Sequence, residues 1–168
     1  MPGETRSVNV VDRGARWCVG ALAILGVIAY GGAALVTVAD ILGRRVGFPV
    51  DGVVDLVQLF VTAGTWLVMP YAFMSAAHVS VDFVVNAVPP RVRAVLLAVS
   101  AAVAIVLLAL MLWQGVETFR LRTMFGDTSQ QLGIPIAWYW YPLLLGLLVS
   151  IPAVLLHLAE ALRSTRRG

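Results

Sequence analysis

Four apolar runs, each long enough to cross a bilayer, constrain this chain more than any other feature. They cover residues 17–39, 56–77, 94–116 and about 138–158. Roughly 20 consecutive apolar residues wound as a helix span the hydrocarbon core. The second run has Gln58 as its only strongly polar side chain. Charges bracket every run: Arg16 and Asp40, Asp55 and Asp82, Arg93 and Glu117, Asp127 and Glu160. A charge at a span centre costs about 2.5–3.5 kcal/mol, whereas each Leu, Ile, Val or Phe contributes only about 0.3–0.6 kcal/mol. The span ends are therefore fixed to within a few residues. The expected fold class is an all-α membrane protein: one domain over 1–168 with four transmembrane helices.

Composition agrees. Of 168 residues, 60% are hydrophobic and 12% charged, against about 25% charged in a soluble domain. So small a soluble domain has too little interior for this much apolar surface. The first run, 23 residues without a charge, exceeds the roughly 7–15 apolar residues of a signal peptide and reads as a retained span. Cys18 is the single cysteine. It reads as a small apolar residue rather than part of a disulfide or a metal cluster.

All twelve cations are arginine, which we read as genomic base composition. They stand in pairs and triplets at segment ends. That is a topological signal, so nucleic-acid binding is rejected. Arg6, Arg13, Arg16, Arg91, Arg93, Arg163, Arg166 and Arg167 share one side. Arg44, Arg45, Arg120 and Arg122 share the other. Eight against four predicts both termini in the cytoplasm. Trp17, Trp113 and the cluster Trp138, Tyr139, Trp140 and Tyr141 fall at span ends, where amphipathic rings favour the headgroup level. Trp66 lies near mid-span. Its indole N–H needs an acceptor, from a neighbouring helix of this chain or from a partner protein.

The connections carry most of the polar pattern. Asp40 and Arg44, and likewise Asp51 and Asp55, are four apart and share a face if helical; Asp40 and Arg44 could form a local ion pair, worth little at a wet interface, and end-capping is the expected role of all four. In 75–88, Val81, Val84, Val85 and Val88 recur at helical spacing, with Ser75, His78, Asp82 and Asn86 on another face. This predicts a short amphipathic cytoplasmic helix between spans two and three, ended by Pro89 and Pro90. Pro142 is expected in the first turn of span four, where a missing N–H is harmless. Pro70 and Pro152 lie inside spans, and the carbonyls they free are expected to face protein.

No phosphate loop, metalloprotease helix or nucleophile elbow is present, and no enzyme activity or cofactor is expected. His78 and His157 both fall at cytoplasmic span ends, which leaves one alternative: a haem- or quinone-associated anchor subunit of an oxidoreductase. A transporter acting alone shows ionisable groups or broken helices inside its spans. These spans are nearly pure Ala, Val, Leu, Ile and Gly, better suited to packing against another membrane protein. Small residues at Gly31, Gly32, Ala33, Ala34 and Gly64 permit close helix approach.

Three stretches resemble the small permease subunit (Q-type) of the tripartite ATP-independent periplasmic, or TRAP, transporters, over about 110 residues. The first is Asp40 to Arg44 with Phe48, Pro49, Asp55 and Leu56; the second is His78, Val79, Ser80, Val81 and Asp82; the third is Ile134 and Pro135 followed by Trp138, Tyr141, Pro142, Leu143 and Gly146. The chain departs from the pattern in having Asp55 for glutamate, a short Arg44-to-Asp55 spacing, and no arginine just before His78. The resemblance implies a scaffold in the bacterial inner membrane. It would pack lengthwise on a large permease subunit holding the substrate and sodium sites. A periplasmic binding protein would deliver an organic acid or similar solute to the outer face. On that reading Asp40, Arg44, Asp55, Trp66, His78, Asp82, Pro135, Trp138 and Pro142 are interface or structural positions.

Overall fold

A computed structural model describes residues 4–75 and 90–167. It contains four helices: α1 (Glu4–Arg45), α2 (Val53–Met74), α3 (Pro90–Met124) and α4 (Ala137–Arg167). The described residues form no strand, only an isolated bridge between Thr128 and Pro135. Each helix holds a stretch long and apolar enough to cross a membrane: Arg13–Arg45, Val53–Met74, Ala94–Met124 and Ala137–Ala159. α1, α3 and α4 overrun the expected spans at both ends because intrahelical hydrogen bonding does not stop where hydrocarbon does; α2 instead begins three residues before the expected 56–77 and ends at Met74, three residues short of it. The expected amphipathic segment over 75–88, with His78 and Asp82, lies almost wholly outside the described residues.

The helices stand in a row rather than closing into a bundle. α2 packs on both α1 and α4, α3 packs on α4, and α1 meets α4 only at a small contact. The spatial order is therefore α1, α2, α4, α3. α4 is the best covered, with 28% of its most apolar stretch buried, against 11% for α3. The core sits at the α2–α4–α3 seam, where Ala101, Leu108, Leu147 and Val154 cluster with Trp66, Met69 and Phe73 against them. At the other seam the Tyr30 ring lies over Gly64, and its hydroxyl shares a 2.8 Å hydrogen bond with Thr65 Oγ1. Large apolar side chains elsewhere on α1 and α3, such as Ile24, Ile28, Val103 and Val106, are more than half exposed. Only lipid or another membrane protein can cover such a surface.

The prolines divide into three cases. Pro70 is fully buried. Lacking an N–H, it cannot bond the carbonyl four residues back, which is that of Trp66. Gly146 of α4 lies directly against that oxygen, where a Cβ would overlap it. The carbonyl freed in span two thus faces protein, as expected. Pro152 differs: it is exposed. Pro142 falls in the second turn rather than the first, because α4 begins at Ala137. The carbonyl it leaves unbonded is that of Trp138, near the helix end.

Candidate functional site

The polar structure of the described chain is concentrated where α1 and α3 end and α2 and α4 begin. Residues 125–136 form a hairpin there. Ser129 N–H donates to Ile134 O at 2.8 Å, and Ile136 N–H to Asp127 O at 3.0 Å. The Ser129 hydroxyl accepts the Ile134 N–H at 2.9 Å.

Asp55 holds the tip of this hairpin. Its Oδ2 accepts the amide N–H groups of Gln131 at 2.9 Å and Leu132 at 2.7 Å, and the residue is only 4% exposed. Two amides converging on one carboxylate oxygen form charge-assisted hydrogen bonds, roughly twice as strong as neutral ones. From α4, the buried Tyr139 donates its hydroxyl to the Asp55 carbonyl at 3.0 Å. One residue at the start of α2 is thus tied to the hairpin by its side chain and to α4 by its backbone. End-capping, the role expected of Asp55, understates this.

Gly52, just before α2, has φ +72°, in the region that disfavours any Cβ. The Leu132 side chain occupies the place where that Cβ would sit. Asp55 and Gly52 therefore seat the same tip, one by hydrogen bonds and one by an open space.

Asp40 organises the other loop. Arg44 Nε donates to its Oδ2 at 2.8 Å, the local ion pair that their spacing of four allows. Oδ1 also accepts the Val50 N–H at 3.2 Å, which folds residues 46–50 back over the end of α1. Asp51 is exposed and does not join this arrangement. Pro135 lies in the returning arm of the hairpin, its carbonyl accepting the Trp138 N–H at 3.1 Å. Trp138 is 59% exposed and stacks edge-on against Tyr141 with centroids 6.3 Å apart, as an aromatic at the headgroup level does.

The structure brings Asp55, Pro135, Trp138 and Pro142 to one end of the molecule, with Asp40 and Arg44 at the same level on α1. Trp66 stands apart. It lies deep in the row and lines a lateral cleft of about 280 Å³ between α2, α3 and α4, shared with Gln114, Thr118 and Trp140. Among the described residues no hydrogen bond is made by its indole N–H. α4 approaches at Trp66 through Gly146 and the backbone instead. His78 and Asp82 fall outside the described residues.

Sequence reasoning missed Tyr139, Gly146, Gly52 and the hairpin amides as structural partners. Gly146 was noted only within a motif, and Tyr139 only within an aromatic cluster. A tyrosine inside a run of lipid-facing aromatics carries no mark of being the one that turns inward.

Among the described residues no group of three or more His, Cys, Asp or Glu side chains is placed to hold a metal ion. The polar groups brace the chain's own loops. Fold and site together define a polytopic membrane protein whose spans are plain and whose ordered polarity lies at one rim. The family model for the DctQ component of the tripartite ATP-independent periplasmic transporters matches residues 33–164, and the chain belongs to that family. It is a transporter component, not an enzyme. The match takes in the last third of α1, all of α2 and α3 and most of α4, while the first two thirds of α1 lie outside it. Neither the curated proteins nor the solved structures contain a match to the chain.

Proposed function

We propose that this chain is the immobile scaffold subunit of a sodium-coupled transporter. In this reading it lies lengthwise against a large permease subunit that carries the substrate and ion sites. A periplasmic binding protein delivers an organic acid or similar solute to it. The hairpin end faces outward, and both termini face the cytoplasm. The arginine asymmetry, eight against four, supports that orientation.

One observation carries the proposal. The helices form an open row with apolar faces exposed on both outer members, and the expected spans 17–39, 56–77, 94–116 and 138–158 contain no Asp, Glu, Lys or Arg to present to a cargo. Such a row widens a neighbour's footprint; it does not grip a solute. Family membership supports this over the oxidoreductase anchor.

Reconstitution tests it. This chain alone in liposomes is expected to be inactive. Uptake should require the large subunit, the binding protein and an inward sodium gradient together. Uptake by this chain alone would overturn the proposal. His78→Ala or Asp82→Ala is expected to weaken assembly or transport with substrate preference unchanged; an altered preference would move recognition onto this chain.

A further inference from the structure

The lateral cleft between α3 and the α2–α4 pair has a shape, a depth and a rim that together specify an occupant. Its walls are mostly apolar: Trp66, Met111, Leu143 and Leu147, with Gln114 and Thr118 toward the hairpin end. Leu147 lies ten residues into α4 from Ala137, and at about 1.5 Å per residue the cleft reaches about 15 Å from the end of the helix. That is half of a hydrocarbon core about 30 Å thick, or one leaflet. A volume of about 280 Å³ accommodates a single extended hydrocarbon chain. It does not accommodate a helix, whose diameter with side chains is about 10–12 Å.

The polar groups along the cleft follow the layering of a phospholipid. Gln114 is exposed, and its side-chain amide makes no hydrogen bond within the described residues. It stands two residues inside the expected span end at 116, about 3 Å below the hydrocarbon edge, at the level of the glycerol esters. Ester carbonyls accept what a side-chain amide donates. Thr118 donates its hydroxyl to the Gln114 backbone carbonyl at 2.9 Å and so does not occupy the side-chain amide. One turn beyond Thr118, on the same helix face, is Arg122. Among the described residues its guanidinium makes no hydrogen bond; it lies 3.9 Å from Asp127 Oδ2, with both side chains roughly half exposed. A loose pair of opposite charges one turn beyond the last α3 residue lining the cleft complements a headgroup that carries both signs.

We infer that the cleft is a binding site for one zwitterionic phospholipid of the leaflet at the hairpin end. One acyl chain lies between Met111 and Leu143, over the floor that the buried Leu147 forms, and the esters meet Gln114. The phosphate sits at Arg122 and the headgroup ammonium at Asp127. This does not depend on the orientation proposed above.

The test uses the full chain together with its partner membrane subunit in nanodiscs of phosphatidylethanolamine and phosphatidylglycerol in equal parts. The probe is a phosphatidylethanolamine with a diazirine at mid-chain, and adducts are mapped by mass spectrometry. Adducts are expected on Met111 and Leu143 well above those on Ile24 and Ile28, although these are the more open, at 64% and 63% exposed against 45% for Met111. Gly115→Leu, which fills the cleft, should bring them down to the α1 level. Met111→Trp blocks the same space from a partly exposed position and serves if the first variant does not fold. Arg122→Gln with Asp127→Asn should abolish the preference for a phosphatidylethanolamine probe over a phosphatidylglycerol one. Equal labelling of cleft and α1 would mean ordinary annular lipid and would overturn the site. So would a photocrosslinker at Met111 that captures the partner subunit rather than lipid. A preference for phosphatidylglycerol would overturn the headgroup assignment.

Discussion

Pro70 and Gly146 act on one atom, the carbonyl oxygen of Trp66. Pro70 removes the N–H that would bond it, and Gly146 lets α4 approach close enough to cover it. Gly146→Ala would put a methyl group into that oxygen. Overpacking of this kind costs about 1–3 kcal/mol, so the thermal midpoint in detergent should fall. Gly31→Ala makes a control, since nothing lies near that position and alanine favours a helix by about 0.8–1.0 kcal/mol over glycine. It should leave the midpoint unchanged or raise it. Equal effects at the two sites would contradict the close approach. At Asp55 the readout is local. Asp55→Ala removes the acceptor of two amides, so deuterium exchange at Gln131 and Leu132 should quicken, while Ile136, bonded to Asp127, keeps its protection. Uniform loss across 125–136 would mean that Asp55 supports the whole hairpin rather than its tip. The sequence marks Asp55 as an acid opening a span, and there its information ends. Its partners are 76 and 77 residues away, and hydrophobic periodicity reports which face is buried, not what a buried carboxylate will meet.

At the scale of elements, long apolar runs and bracketing charges were enough to find four helices, because in lipid every backbone polar group must be satisfied within its own segment. Boundaries were less legible. The start of α4 depends on the hairpin, and the hairpin depends on Gly52 and Asp55, so no local signal could show that Pro142 falls a turn deeper than its spacing suggests. The Asp40–Arg44 pair was legible, since helix geometry alone brings them together. The Val50 amide on the same carboxylate was not. The hairpin gives the prediction proper to this scale. Gly52→Ala meets two penalties: a positive φ, about 1–2 kcal/mol for a residue with a Cβ, and overlap with Leu132. Protease cleavage within 125–136 should become faster, while α3 and α4 keep their helicity by circular dichroism. Adding Leu132→Ala should recover part of the loss, because it removes the overlap and leaves the backbone strain. An additive double variant would show that the two residues do not meet.

For the whole molecule the decisive fact is the order of the row. Four apolar helices in sequence suggest a bundle, and nothing in their composition says otherwise. The helix contacts instead place α2 and α4 at the centre, with α1 and α3 as outer members that do not pack on each other. Neither run of residues before or after 75–89 is therefore intertwined with the other: α1 and α2 form one pair, α3 and α4 the second. They are joined by the α2–α4 seam, the hairpin tip on Gly52 and Asp55, and a small α1–α4 contact. A chain divided between residues 75 and 90 and produced as two fragments should reassemble in the membrane, since no helix must thread between two others. Co-purification of an untagged second fragment with a tagged first one measures this. Gly146→Leu in the second fragment should abolish recovery, because a larger side chain cannot approach the Trp66 carbonyl. Gly31→Leu in the first should not, because that face of α1 is open. Failure of the unmodified fragments to associate would mean that the link between α2 and α3 does more than connect them. Recovery with Gly146→Leu would mean that the hairpin, not the helix seam, joins the halves.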